Sequence, residues 1–214
     1  VLDSDFDGTI VVTSGDVPLL DVATLQVMIE AHTAGGFHAT VLASIAEDPT
    51  GLGRIIRNEQ GDFSAIIEHR DASEAQQRIN EVNSGVYAFD AAKLASAIGK
   101  LKNDNSQGEL YLTDVIEILR NEGGKIAAVL IDDFIEILGV NDRVQLAESA
   151  SLLRDRINED LMKSGVTIVD PLSTWVDATA TIAPDVVLAP GTAIHGATTI
   201  ASGAVIGPRT TLID

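Results

Sequence analysis

Val176, Ile182, Leu188, Ile194, Ile200, Ile206 and Leu212 stand six residues apart without a miss. Pro184, Pro190, Gly191, Gly196, Gly203, Gly207 and Pro208 fill the gaps. A period of six fits neither the 3.6-residue turn of an amphipathic helix nor the two-residue alternation of a strand. It fits a solenoid of hexapeptide repeats, a β-helix in which every sixth aliphatic enters a prism and small residues turn the corners. Three hexads complete one coil of a three-sided prism, so about two coils are expected here. The repeat is still in phase at Asp214, which predicts that the natural protein continues it.

Before the repeat the pattern is that of an α/β domain. Thr9–Ser14 is a β-branched run of the kind found in a buried parallel strand. Asp21 is placed to cap a helix reaching about Thr33, with Gly35-Gly36 as its stop, and Phe37–Ile45 reads as the next strand. This order predicts a parallel sheet with crossover helices. Arg54–Asn58 and Phe63–Glu68 flank the Gly61-Asp62 turn as a hairpin. Val82–Phe89 and Lys125–Ile131 read as strands, and Asp90 as the cap of a helix. Further helices are expected over Leu112–Asn121 and Arg143–Lys163, the latter with Leu146, Leu153, Ile157 and Leu161 among its apolar positions.

Composition narrows the function. Hydrophobic residues form 45% of the 214, enough for a packed core, and the formal charge of -18 disfavours nucleic acid and anionic membrane surfaces. Phosphate substrates remain open, because a bound divalent cation reverses the local sign. Cysteine is absent, so there is neither disulfide nor thiolate chemistry. The acidic start, Val-Leu-Asp-Ser-Asp-Phe-Asp, is unlike a secretory signal, and no apolar run approaches the ~20 residues of a membrane span, so a cytoplasmic protein is expected.

Several polar residues sit where chemistry is expected. Ser14-Gly15-Asp16 follows the opening strand, and ligands of open α/β sheets bind beyond the carboxyl ends of strands. There Asp16 suits a metal, and Gly15 lets backbone approach a nucleotide; a plain turn capped by Asp16 is the competing reading. Thr50-Gly51-Leu52-Gly53-Arg54 would pack backbone against a sugar or phosphate, or be an ordinary loop. Glu68, Asn83 and Asn141 each stand at a strand end or loop, where such residues meet sugar hydroxyls, ligate Mg²⁺ or cap turns.

Together these segments resemble the bifunctional bacterial N-acetylglucosamine-1-phosphate uridyltransferase/glucosamine-1-phosphate acetyltransferase family, of an actinobacterial type. The stretches that carry the resemblance are Gly15-Asp16-Val17-Pro18-Leu19, Gly51-Leu52-Gly53-Arg54-Ile55, Ile67-Glu68-His69-Arg70-Asp71-Ala72, Glu81-Val82-Asn83-Ser84-Gly85, Glu109-Leu110-Tyr111-Leu112-Thr113-Asp114 and Gly139-Val140-Asn141-Asp142-Arg143. The resemblance implies a partial Rossmann-like nucleotidyltransferase domain over 1–143, a linker helix over 144–164 and the first coils of a left-handed parallel β-helix over 165–214. It implies formation of UDP-N-acetylglucosamine and pyrophosphate from UTP and N-acetylglucosamine 1-phosphate. By residue, Asp16 and Asn141 would hold Mg²⁺, Ser14 and Gly15 would contact the nucleotide, and Gly53, Glu68 and Asn83 the N-acetylglucosamine part. A homotrimer through the β-helix is implied, with acetyl-CoA as a substrate of the parent protein.

The family often has Tyr or Phe at Leu52, Lys at Arg70 and Asn at Asp142. Its glycine-rich, Arg- and Lys-bearing triphosphate loop would precede Val1, and its acetyltransferase site would follow Asp214. This chain is therefore expected to turn over UTP poorly by itself. A hexapeptide-repeat acyltransferase, with His195 as its one repeat histidine, and a non-enzymatic assembly module are the alternatives. His195 is expected to face solvent.

Overall fold

A computed structural model describes residues 6–101 and 110–214. The chain divides into two compact units, 1–139 and 140–214.

The first unit is built on one six-stranded sheet. Its elements run β1 (Thr9–Val12), α1 (Val22–Gly35), β2 (Ala39–Ile45), β3 (Arg54–Arg57), β4 (Phe63–Ile67), α2 (Glu74–Gln77), β5 (Glu81–Asp90), α3 (Ala91–Ile98), α4 (Leu112–Asn121) and β6 (Ile126–Ile131). The caps follow from side-chain chemistry. Asp21 accepts from the Ala23 amide at the start of α1, and Asp90 from the Lys93 amide at the start of α3, each satisfying a donor the helix cannot. Gly36 closes α1 with φ of 59°, a left-handed conformation that glycine adopts without steric cost.

The strand order is β4-β3-β5-β2-β6, with β1 also on β5. The expectation of a parallel sheet needs correction. β1 and β2 do run in one direction, as a crossover through α1 requires. The later strand β5 lies between them, antiparallel to both, with Val12 opposite Tyr87 and Val41 also opposite Tyr87. The parallel pair in this sheet is β2 with β6. β1 is a half-buried edge strand, not a buried central one. Sequence order reveals the crossover but not which strand will fill the gap it leaves.

Both faces of the sheet are covered. Val41, Tyr87 and Phe89 pack with Leu94 of α3 and with Val115, Ile116 and Leu119 of α4. The alternate residues Leu42, Val82, Val86 and Ala88 pack with Met28 of α1. Consecutive side chains of a strand point to opposite faces, so β2 from Ala39 to Ser44 and β5 from Val86 to Phe89 are buried at every position because both faces are covered there. Full burial of Met28 alone contributes about 1.5–3 kcal/mol.

The second unit begins with α5 (Arg143–Lys163). Asp142 caps it, accepting from the Val144 and Gln145 amides. Eight short strands follow: β7 (Thr167–Ile168), β8 (Trp175–Val176), β9 (Thr181–Ile182), β10 (Val187–Leu188), β11 (Ala193–His195), β12 (Thr199–Ile200), β13 (Val205–Ile206) and β14 (Thr211–Ile213). They form three small parallel sheets, β13-β10-β7, β14-β11-β8 and β12-β9. Hexad positions pair with those three hexads later: Val176 with Ile194, Ile182 with Ile200, Leu188 with Ile206 and Ile194 with Leu212. Their side chains share one apolar cluster, in which Leu188 and Ile194 are wholly buried.

Ile157 and Leu161 of α5 pack onto that cluster. Leu146 and Leu153, expected on the same stripe, are exposed. The buried residues of α5 are Ser149 and Asn158. Asn158 Nδ2 donates to the carbonyls of Pro171 at 3.0 Å and Thr174 at 2.9 Å, so a polar grip supplements a short apolar contact. Among the described residues no helix is long and apolar enough to cross a membrane.

Candidate functional site

β5 carries neighbours along both of its edges. β2 runs along one. On the other, β3 meets it at Val82 and β1 meets it from Tyr87 to Asp90. Between Asn83 and Tyr87 that second edge is open, and a cavity of about 230 Å³ lies there. Its wall includes Ser14, Glu68, Asn83, Gly85, Tyr87 and Thr113. Val12 to Ser14, at the C-terminal end of β1, form part of its wall, the end of an α/β strand at which ligands bind.

Asn83 is held on three sides. Its amide donates to the Gly53 carbonyl at 2.9 Å. Its Oδ1 accepts from the Gly85 amide at 3.1 Å, and its Nδ2 donates to the Tyr87 hydroxyl at 2.8 Å. Gly53 is buried beside it. A Cβ at Gly53 would lie 3.5 Å from both Asn83 Cβ and Glu68 Oε2. Gly53, Glu68 and Asn83 are thus one cluster, contributed by three separate segments.

Glu68 is half-buried, and its carboxyl is pushed above the usual range. Burial is the main cause and Asp71 adds to it, against a hydrogen bond from Thr113. A carboxylate so placed gains from a ligand that donates to it. Gly85 has φ of +77°, and a Cβ there would stand 3.2 Å from Ser14 Oγ. Gly85→Ala is expected to cost about 1–3 kcal/mol of stability. Urea denaturation checks this; an unchanged midpoint would refute it.

Arg54 is 1% exposed, yet among the described residues no carboxylate forms a close ion pair with it, and Asp48 feels its charge only at longer range. Its guanidinium donates to the Leu52 carbonyl through Nη1, and through Nη2 to the Gln77 carbonyl at 3.3 Å and to His69 Nδ1 at 3.2 Å. His69 must therefore present its lone pair at Nδ1. Arg54 ties together the glycine loop, the segment after Glu68 and the end of α2. The sequence points to the backbone of the glycine loop as a sugar or phosphate contact; the Arg54 side chain at its end is a buried structural fork.

The remaining candidates are placed less closely. Gly15 and Asp16 form an exposed turn after β1, and the Asp16 side chain makes no hydrogen bond among the described residues. Neither lines the cavity, although Ser14 beside them does. Asn141 is exposed in the second unit, where its amide donates to Gln145 Oε1 at 2.7 Å. Among the described residues no group of three or more His, Cys, Asp or Glu is placed to hold a metal. His195 is half-exposed, 3.4 Å from Asp177. Glu109 lies outside the described residues.

Comparison with known proteins bears on this arrangement. The nucleotidyl transferase family model matches residues 1–178. The chain belongs to the nucleotidyl transferase family. Within reach of this nucleotidyl transferase are proteins described as bifunctional protein GlmU. That of Corynebacterium diphtheriae is 53% identical over 209 residues, covering 98% of this chain and 43% of that protein. The Mycolicibacterium vanbaalenii protein is 54% identical, with 100% and 43% covered. The Streptomyces coelicolor protein is 52% identical, with 97% and 43% covered. The chain thus spans less than half the length of these relatives. A Bacillus anthracis protein described as a glucose-1-phosphate thymidylyltransferase, crystallised with sucrose, has the same fold. The TM-score is 0.52 at 24% identity, over 70% of this chain and 56% of that one.

Proposed function

We propose that this nucleotidyl transferase takes part in uridylyl transfer from UTP to N-acetylglucosamine 1-phosphate, forming UDP-N-acetylglucosamine and pyrophosphate. The observation that carries the reading is the convergence of Ser14, Gly53, Glu68 and Asn83 around one opening in the sheet. In this reading Gly53, Glu68 and Asn83 hold the sugar, while Ser14 and Gly15 lie along the nucleotide. A phosphate oxygen of the sugar phosphate attacks the α-phosphorus of UTP in line; the new P–O bond forms as pyrophosphate leaves. The attacking phosphate is already anionic, so the protein's part is positioning and charge neutralisation.

Asp16 and Asn141 are proposed to hold Mg²⁺. One carboxylate and one amide oxygen suit an ion that keeps several waters and takes phosphate oxygens. The exposed Asp16 carboxylate, with no bond of its own among the described residues, is chemically available for that role. When bound, the ion supplies positive charge to the phosphates.

We further read 1–143 as uridyltransferase domain, 144–164 as linker helix and 165–214 as the first coils of a left-handed parallel β-helix. The three-hexad pairing supports the last of these. Acetyl-CoA-dependent acetylation and trimer formation through the coils are proposed for a protein of the relatives' full length.

Saturation-transfer NMR tests the sugar site. The chain should bind N-acetylglucosamine 1-phosphate, and Glu68→Gln should weaken binding about tenfold, because one acceptor oxygen becomes a donor. Absence of binding would sink the reading.

A further inference from the structure

The bonds around Asn83 settle where the Tyr87 hydroxyl sends its proton. The Gly85 N–H is solely a donor, so the atom of Asn83 facing it must be the amide oxygen. The opposite end, Nδ2, is then a donor, 2.8 Å from the Tyr87 oxygen. Tyr87 accepts in that bond, and its own hydrogen is directed elsewhere. Among the described residues no acceptor lies within hydrogen-bonding distance of it. Tyr87 is 3% exposed, so this hydrogen does not project into bulk water; the residue lines the cavity beside Ser14, Glu68 and Thr113. Burial pushes the phenol up to about 12, against the Asn83 hydrogen bond and reinforced by the Glu68 charge, so the O–H stays intact near neutrality.

We propose that Tyr87 is a specificity-determining residue whose hydroxyl donates to an acceptor oxygen of the sugar phosphate held in this cavity. The inference rests on the sugar-binding reading above. A nearly buried donor without an acceptor favours ligands that supply one and rejects those that do not. Asn83 fixes the direction of the donor, so the discrimination is built in before the ligand arrives.

The test is binding of N-acetylglucosamine 1-phosphate by the full chain and by Tyr87→Phe, followed by NMR. The ring and its contact with Phe89, 5.8 Å between centroids, remain in the variant. Binding should weaken about threefold to tenfold with circular dichroism unchanged. Equal dissociation constants would overturn this proposal alone, whereas a wild-type chain that binds no sugar phosphate would overturn the sugar reading beneath it. A second measurement needs no folded Tyr87 variant. The chain has two tyrosines, Tyr87 and Tyr111, so ¹³Cζ labelling gives two signals, which Tyr111→Phe assigns. The Tyr87 signal should move on saturation with the sugar phosphate; a stationary signal overturns the proposal.

Discussion

In a protein of the relatives' full length, Asp16→Asn is expected to lower the proposed Mg²⁺-dependent transfer from UTP to N-acetylglucosamine 1-phosphate about a hundredfold or more. The side chain keeps its volume and loses its charge. It is exposed in a turn and bonded to nothing among the described residues, so stability should change by no more than about 0.5 kcal/mol. Pyrophosphate release and urea denaturation on one preparation check both halves. Mn²⁺ titration followed by NMR line broadening adds a readout independent of turnover: broadening around Ser14–Val17 should vanish in the variant. If Asp16 merely shaped the turn, the result would invert, with stability lost and both metal binding and turnover kept.

Arg54→Met should have the opposite signature, a loss of about 2–4 kcal/mol of stability. Methionine fills much of the space but leaves the Leu52 and Gln77 carbonyls and His69 Nδ1 without their donor. These bonds are partly buried, and orphaning a group shielded from water costs more than its bond contributes when made. Arg54→Lys should recover only part of the loss, since an ammonium cannot reproduce the planar fork. Urea denaturation measures the difference. Hydrogen exchange should show the Asn83 amide, bonded to Gly53, among the first to lose protection. A midpoint unchanged in Arg54→Met would show that the fork carries no load.

Much of this organisation is legible in the residues alone. The hexad spacing anticipates the pairing of Val176 with Ile194, three hexads on in the repeat. Asp21, Asp90 and Gly36 mark helix ends by local chemistry, which needs no tertiary knowledge. The place of β1 is different. Nothing within Thr9–Val12 records that a strand more than seventy positions later will pair with it, so its direction could be anticipated but not its partner. The site divides along the same line. The resemblance picks out Gly53, Glu68 and Asn83, and the fold brings them together. It assigns no role to Arg54 or Tyr87. Burial of a guanidinium without a paired carboxylate runs against the usual expectation for arginine. Tyr87 did leave a signal: Asn83, Gly85 and Tyr87 alternate along one strand and therefore share a face, with the glycine clearing space between two polar residues.

The grip of α5 on the repeat bears on where this protein can be cut. A boundary drawn at the end of the helix, after Lys163, looks natural in a secondary-structure diagram. It would remove the amide that holds the Pro171 and Thr174 carbonyls and strip Ile157 and Leu161 from the apolar cluster of the repeat. The trimmed repeat would then present bare apolar surface, and its aggregation would be mistaken for a property of the short strands. A cut at Gly139 keeps the Asp142 cap, the helix and its cover over that cluster in one piece. Expression of the repeat for crystallisation or assembly studies should therefore start at Val140, with the helix treated as part of the repeat's own core.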